Sequence, residues 1–176
     1  MPNNPVNLDK QLFCTRQADD PYPAKDDLYQ AHLLEQYKVY VDSAQKISDR
    51  RQSSNSYFLA VNSALLAFIG YAVPKESTNY LWLLGLAGMT LSYLWYRIVR
   101  SYSDLNGGKF KVIGAIESRL PLRTFAAEWE ALGEGKNPKL YKPVTHVEFG
   151  VPWIFFVLHV FVVVKTVPWH WLAAHA

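Results

Sequence analysis

Long apolar stretches alternate with polar segments along this chain of 176 residues. Residues 57–73 carry no charge, residues 80–98 carry only Arg97, and residues 149–167 are interrupted only by His159 and Lys165. Because a helix rises about 1.5 Å per residue, each stretch is long enough to cross a hydrocarbon layer of about 30 Å. The pattern therefore predicts an all-α, polytopic membrane protein with three transmembrane helices.

The N-terminal 56 residues divide into two polar segments. Residues 1–27 are rich in Asn, Asp, Pro and Gln, which predicts an irregular arm. Residues 28–56 follow a helical pattern with one apolar stripe, formed by Leu34, Tyr37, Val41 and Ala44. No Gly or Pro occurs between Pro23 and Gly70, so we expect this amphipathic helix to continue unbroken into the first span. Such a stripe needs a partner, and we predict that it forms an oligomer interface.

The remaining polar segments predict short connections and one helical loop. The turn-forming link 74–79 joins the first two spans into a transmembrane hairpin, residues 57–99. In the loop 100–148 we expect a break at residues 106–108, a helix over 109–118, and a helix over 125–132 that Thr124 caps and Gly133 ends. An extended connection then reaches the third span, 149–167, with Pro152 in its first turn, and residues 168–176 form a tail.

Positive charge is strongly asymmetric about the predicted spans. Lys and Arg number seven in residues 1–56 and eight in residues 99–148, against one in 74–79 and none after 167. Because basic residues are retained on the cytoplasmic side, this distribution predicts a cytoplasmic N-terminus and loop and an external C-terminus. The net charge of +3 is explained by this topology, and we therefore expect no nucleic-acid partner.

Two polar residues within the predicted spans are candidates for function. Asn62 must find hydrogen-bond partners on another helix or in water, so it joins helices together, lines a pore, or lies close enough to the membrane interface to be hydrated there. His159 lies near the middle of the third span, where an ionisable group is a candidate for function; we favour a neutral imidazole hydrogen-bonded to a neighbouring helix, with ion or proton conduction as the alternative. Small residues four apart, such as Ala60 with Ala64 and Gly88 with Ser92, allow close helix approach.

Five basic residues flank the inner ends of the first two spans. If several copies surround an axis, these residues form a ring that attracts anionic lipid headgroups or an anionic ligand such as a nucleotide. The alternative is ordinary anchoring of the spans by positive charge. The five residues are Lys46, Arg50, Arg51, Arg97 and Arg100.

The sequence carries no signature of an enzyme. The five histidines lack the spacing of metal ligands, the single cysteine lacks a catalytic context, and Gly107-Gly108 lacks the flanking residues of a phosphate-binding loop. We therefore predict no catalytic residue, no metal site and no cofactor.

Several segments resemble a known family. The blocks 34–41, 47–59 and 62–65, together with the later run 145–152, are similar to the RipA-like family of small bacterial octameric inner-membrane proteins. The resemblance implies a homo-oligomer, expected to have eight subunits, in the bacterial cytoplasmic membrane. A looser similarity is to two-helix membrane effectors of nucleotide-signalled antiphage systems, from which this chain differs by its third span.

Two kinds of function are consistent with these observations. The first is a homo-oligomeric inner-membrane assembly whose long helices pack below the bilayer and enclose a pore or chamber; a nucleotide-gated antiphage effector is a special case. The second is a non-conducting adaptor or scaffold that recruits a cytoplasmic protein or organises membrane lipids.

Overall fold

A computed structural model of the chain describes residues 8–13, 27–73, 80–141 and 145–168. Its regular elements are all helical, which confirms the all-α prediction. Within the predicted irregular arm the described part forms a short helix, α1, and most of the remaining arm lies outside the described residues. The elements are α1 (Leu8–Leu12), α2 (Asp27–Ala72), α3 (Leu81–Glu117), α4 (Thr124–Ala131), the 3₁₀ turn Gly133–Gly135 and α5 (Thr145–Thr166).

The chain divides into two compact units. The first, here called the loop unit, comprises Met1–Ser48 and Asp104–Pro143. The second, here called the span unit, comprises Asp49–Ser103 and Val144–Ala176. α2 and α3 contribute to both units, and α2 is unbroken from Asp27 to Ala72, as the absence of Gly and Pro before Gly70 predicts.

α2 and α3 lie side by side in the loop unit. The Tyr37 hydroxyl donates to Glu117 (2.9 Å), and Asn106 Nδ2 donates to Ser48 Oγ (3.2 Å). Residues further along α2 therefore contact residues nearer the start of α3, so the two helices run antiparallel. The apolar core of this unit includes Leu33, Ala44, Ile113 and Ile116, all of which are buried.

The predicted break at residues 106–108 is wrong, because α3 continues through both glycines to Glu117. A glycine within a helix costs about 1 kcal/mol relative to alanine, so this stretch needs support from its surroundings. Lys109 supplies it by donating to Ser43 Oγ (2.6 Å) and lying 4.6 Å from the centre of the Tyr40 ring. Packing against α2 thus stabilises the helix where the local sequence only weakly favours it.

α4 begins and ends close to the predicted positions. It runs over Thr124–Ala131, and Gly133 follows with a φ of 66°, a conformation that glycine adopts without the steric cost of a side chain. Thr124 is the first helical residue rather than the cap, and Arg123 in the capping position makes no side-chain cap hydrogen bond. The free N–H groups in the first turn of α4 donate instead to the carboxylate of Glu117 in α3.

The span unit contains one helix that meets the criteria of length and apolarity for crossing a membrane. Within the described residues only Val147–Thr166 does so, with a mean hydropathy of 2.2. The other two predicted spans are not confirmed. α5 begins at Thr145, four residues before the predicted start, so Pro152 lies inside the helix rather than in its first turn. There it removes the N–H that would bond to the carbonyl of Glu148.

Candidate functional site: polar layers buried between helices

Three polar side chains from three helices meet in the interior of the span unit. Asn62 of α2 accepts a hydrogen bond from the Ser92 hydroxyl of α3 (3.0 Å) at its Oδ1 atom. The same Oδ1 lies 3.2 Å from Nε2 of His159 in α5. All three residues are at most 1% exposed. The contacts between these helices let the Ser92 hydroxyl and His159 Nε2 share the Asn62 oxygen as a partner away from water.

The hydrogen bonds of Asn62 fix the tautomer of His159. Asn62 Nδ2 donates to the carbonyl of Phe58 (2.9 Å), which identifies the other amide atom, Oδ1, as the acceptor. Nε2 of His159 must therefore carry the proton that it shares with Oδ1. Nδ1 is left as a buried acceptor without a partner in the described part of the chain.

Two glycines of α3 permit the close approach of α5. A Cβ atom on Gly88 would lie 2.2 Å from the His159 ring, and one on Gly85 would lie 2.6 Å from a methyl group of Val163. Neither distance is possible between real atoms. The absence of a side chain at these positions therefore allows His159 to reach Asn62.

An aromatic layer lies next to this polar cluster. The ring of Trp95 stacks on Phe58, with 6.1 Å between ring centres, and lies 5.9 Å from Phe155 at a tilt of 50°. Trp95 is 2% exposed and belongs with Phe58 and Val99 to the hydrophobic core of the unit. These rings fill the space between α2, α3 and α5 and close the interior of the protomer at this level.

A second polar layer lies on the other side of Phe58 along α2. Asn55 accepts a hydrogen bond from Trp95 Nε1 (2.8 Å) and donates to Glu148 Oε1 (3.3 Å). Arg51 Nε lies 3.5 Å from Glu148 Oε2. Because Asn55 and Asn62 are seven residues apart, they share one face of α2. The sequence analysis did not identify Asn55 or Glu148 as candidates. The spacing of seven residues from Asn62 was the signal that could have identified Asn55.

The structure brings the two predicted polar residues, Asn62 and His159, into direct contact. Both are fully buried between helices of one protomer. Their geometry corresponds to the interhelical alternative rather than to side chains lining an opening within the protomer. A role in conduction stays a prediction.

The predicted interface stripe divides between two environments. Ala44 is buried and Tyr37 is half-buried against α3, so the long helix finds part of its partner within its own chain. Leu34 is 42% exposed and Val41 is half-buried. The assignment of the stripe to an oligomer interface stays a prediction. Within the stripe, Leu34 and Val41 are the residues that we expect to contact a neighbouring copy.

The five predicted basic residues have several different surroundings. In the loop unit Lys46 pairs with Asp42 (2.7 Å) on the surface of α2. In the span unit Arg51 pairs with Glu148, and Arg100 donates to the hydroxyl of Tyr96 (3.1 Å). Arg50 and Arg97 are exposed. Anionic lipid or ligand binding by these residues stays a prediction.

The loop unit contains a buried carboxylate that sequence reasoning missed. Glu117 is fully buried and accepts hydrogen bonds from the Tyr37 hydroxyl, the Thr124 hydroxyl (2.9 Å), and the N–H groups of Phe125 (3.1 Å) and Ala126 (3.4 Å). Burial alone would raise the pKa of Glu117, but these donors outweigh it and lower the pKa below its ordinary value. The pKa of Tyr37 is raised, chiefly by burial and also by the nearby carboxylate of Glu117. A hydrogen bond with Thr124 acts in the opposite direction but does not cancel this effect.

Glu117 therefore caps α4 from a neighbouring helix. Its two oxygens receive the N–H groups of the first turn, where the positive end of the helix dipole favours an anion. No local sequence pattern identifies this role, because the cap and the helix it serves belong to different elements.

The small residues of α2 and α3 lie in different environments. Gly88 and Ser92 are buried within the protomer. A larger set on α2 is exposed and lies away from Asn55, Phe58 and Asn62, on a side that also carries the exposed rings of Tyr57 and Tyr71. This set, here called the small-residue face, consists of Ser53, Ser56, Ala60, Ser63, Ala64, Ala67 and Gly70.

No group of three or more His, Cys, Asp or Glu side chains suited to a metal ion occurs among the residues that the structure describes. The arrangement observed is one of helices joined by buried polar layers. An apolar helix long enough to span a membrane, close helix approach at glycine and polar contacts between helices are together typical of helical membrane proteins.

Comparison with known families is consistent with this class. The chain belongs to the octameric membrane protein family, whose model matches residues 34–168. The matched region contains every residue of both polar layers and of the aromatic layer. No curated protein and no solved structure matches the chain.

Proposed function

We propose that this chain is a subunit of a homo-octamer in the bacterial cytoplasmic membrane, with the small-residue face of α2 packed against a neighbouring copy. The name of the family supports eight subunits. The observation that carries the contact is the exposure of seven small residues on the side of α2 away from its buried polar side, where they alternate with the exposed rings of Tyr57 and Tyr71. Small residues let membrane helices approach closely enough for extensive van der Waals contact.

The proposal includes three membrane spans, with the N-terminus and the loop 100–148 in the cytoplasm. The apolar parts of α2 and α3 contain Asn, Ser, Thr, Tyr and Trp, which lower their mean hydropathy below that of α5. In α2 and α3 the polar residues Asn62 and Ser92 satisfy each other, so they do not require contact with water. The asymmetry of Lys and Arg supports the orientation.

A pore or chamber, in this proposal, lies between subunits rather than within one. The aromatic layer of Phe58, Trp95 and Phe155 fills the interior of the protomer, which supports this placement. Conductance is tested by ion flux from proteoliposomes containing the full chain. The matched variants are Ala60→Trp, on the small-residue face, and Val157→Trp, on an exposed apolar position of α5. Flux lost only in Ala60→Trp supports a conducting path that depends on assembly through the small-residue face, and no flux from the native protein under any trigger contradicts the pore.

The contact itself is tested by native mass spectrometry of the same two variants in nanodiscs. We expect the native chain and Val157→Trp to form octamers and Ala60→Trp to dissociate, because a large ring prevents close helix approach. Octamers of undiminished abundance in Ala60→Trp would show that the small-residue face is not the subunit contact.

A non-conducting scaffold is the second candidate. The filled interior of the protomer fits a scaffold as well as it fits a pore between subunits, because buried polar layers that join helices require no transport function. The two candidates differ in the flux experiment: an octamer that remains impermeable under all conditions favours the scaffold. Recruitment of a soluble protein by the loop unit would then supply its role.

A further inference from the structure

The side chain of His159 has one partnered and one unpartnered nitrogen. Nε2 donates its proton to Oδ1 of Asn62, 3.2 Å away, whereas Nδ1 is buried and has no hydrogen-bond partner among the residues that the structure describes. In this tautomer Nδ1 carries the free lone pair, which is the basic site of a neutral imidazole. The fully buried ring of His159 therefore keeps one position at which it can still bind a proton.

The helices around the ring are neutral and closely packed. A Cβ atom on Gly88 of α3 would lie 2.2 Å from Nδ1, so the ring and the backbone of α3 leave no room between them. The polar side chains that reach the cluster, Asn62 of α2 and Ser92 of α3, carry no charge and meet each other at the amide oxygen. A second N–H group on the imidazole would find no acceptor in this arrangement.

No ionised side chain is available to balance a charge on the ring. The nearest titratable side chains on the three helices are exposed, except for Glu148, which is eleven residues from His159 and pairs with Arg51. A positive charge at His159 would therefore be buried without a counter-ion, which is unfavourable. These titratable side chains are Tyr57 and Tyr71 of α2, Tyr93 of α3, and Glu148 and Lys165 of α5.

We propose that Nδ1 of His159 is a proton-binding site whose occupation releases α5 from α2 and α3. A proton taken from water converts the ring to an imidazolium with two N–H donors, and only the Nε2–H group retains an acceptor. Water solvates this cation, whereas the packed helices do not, so protonation favours the separated arrangement. The span unit is then held together at neutral pH and loosened by acid.

The direction and size of the effect follow from proton linkage. The separated arrangement binds one more proton than the packed one in acid, so the equilibrium that holds α5 in place weakens as the pH falls. A free imidazole binds this proton below about pH 6.5. One proton changes the equilibrium constant by up to tenfold per pH unit, so the expected change between about pH 8 and about pH 5 is roughly 30-fold.

The first test compares the pH dependence of unfolding of the full chain in mixed micelles with that of His159→Gln. The glutamine amide places an N–H group close to the position of Nε2 but has no basic nitrogen. Other titrating groups, including Glu117, contribute equally to both proteins. We expect the unfolding equilibrium constant of the native chain to rise about 30-fold more than that of His159→Gln from about pH 8 to about pH 5.

The matched control for this test is His32→Gln, because His32 is an exposed histidine of α2. Its pH profile should follow that of the native chain. Parallel profiles of the native chain and His159→Gln would overturn the proposal.

The second test measures separation of α5 from α3 directly, by thiol labelling of the full chain in nanodiscs. Gly85 is buried in α3, and a Cβ atom there would lie 2.6 Å from a methyl group of Val163 in α5. Gly85→Cys combined with Val163→Ala, in a Cys14→Ser background, therefore places a thiol that a membrane-permeant maleimide reaches only when α5 moves away. Leu86→Cys is the reference, because Leu86 is the next residue of α3 and is 41% exposed.

The ratio of the two labelling rates removes the effect of pH on the thiol itself and reports the fraction of time that α5 is separated. We expect this ratio to rise about 30-fold from about pH 8 to about pH 5 when His159 is present, and to stay constant in His159→Gln. A constant ratio in the chain that retains His159 overturns the proposal, whatever the stability of His159→Gln. All these contacts lie within one protomer, so a failure of the proposed octamer and a failure of the proton site are separate results.

Discussion

Asn62 and His159 lie 97 positions apart in the sequence, yet their side chains meet, with 3.2 Å between Oδ1 and Nε2. The contact joins α2 to α5, and Ser92 adds α3 at the same amide oxygen. One side-chain oxygen therefore links all three long helices of the span unit. The cluster specifies which helix faces meet, because an amide buried without partners would be destabilising.

Replacing Asn62 with Leu should destabilise the span unit. The variant leaves the Ser92 hydroxyl and the His159 Nε2–H buried without their acceptor, which typically costs about 1–3 kcal/mol. The measurement is the free energy of unfolding in mixed micelles. Thr90→Val is the control, because the Thr90 hydroxyl bonds only within its own helix and is exposed. Equal stability of the two variants would mean that the cluster does not hold the helices together.

Gly88→Ala should separate α3 from α5. The added methyl group would overlap the ring of His159, so the helices must move apart and the Asn62 contact is lost. Gly150→Ala is the matched control: it lies in α5 with open space around it, and alanine should stabilise the helix by up to about 1 kcal/mol. We expect Gly88→Ala to lower the unfolding midpoint and Gly150→Ala to raise it. A Gly88→Ala protein as stable as the control would contradict the close approach of these helices.

Glu117→Gln should loosen α4. The neutral amide presents one acceptor oxygen instead of two, and removal of charge-assisted bonds in a buried site costs about 1–3 kcal/mol. Hydrogen exchange over residues 124–131 measures the effect directly. Glu130→Gln is the control, because Glu130 is an exposed residue of the same helix. Unchanged protection in Glu117→Gln would show that α4 does not depend on this carboxylate.

The same carboxylate predicts a pH dependence. The pKa of Glu117 is lowered in the folded protein, so its ionised form stabilises the loop unit at pH values above its unfolded pKa of about 4.3. That stabilisation is lost as the pH falls through the lower, folded pKa. Exchange of α4, corrected for its intrinsic rate, should therefore increase on acidification in the native protein and much less in Glu117→Gln. Identical pH profiles would contradict the prediction.

The sequence allowed the helices to be predicted better than their contacts. Charge-free stretches and the absence of Gly and Pro from Pro23 to Gly70 predicted the all-α fold and the unbroken α2. The break at Gly107 was predicted from local preference alone, and Lys109 and Asn106 oppose it by contacts with α2. The predicted start of the third span at residue 149 follows the end of the charged segment at Glu148, whereas α5 begins at Thr145, because a helix can extend beyond its apolar stretch.

The candidate site was predictable only in part. Asn62 and His159 were identifiable because polar groups within apolar segments require partners. Their pairing was not, since a sequence does not specify which helix faces which. Glu117 gave no signal, because its donors Tyr37 and Ala126 belong to two other helices. The ion pair of Arg51 with Glu148 was not predictable either, because the two residues lie 97 positions apart in the sequence.

The central claim is that identical copies assemble through the exposed side of α2. Native mass spectrometry of the full chain in lipid nanodiscs tests it most directly, because it counts subunits without assuming an activity. Assembly through this side of α2 predicts a single closed species of eight subunits. A monomer or dimer would contradict it, since neither leaves a neighbouring copy on both sides of each protomer.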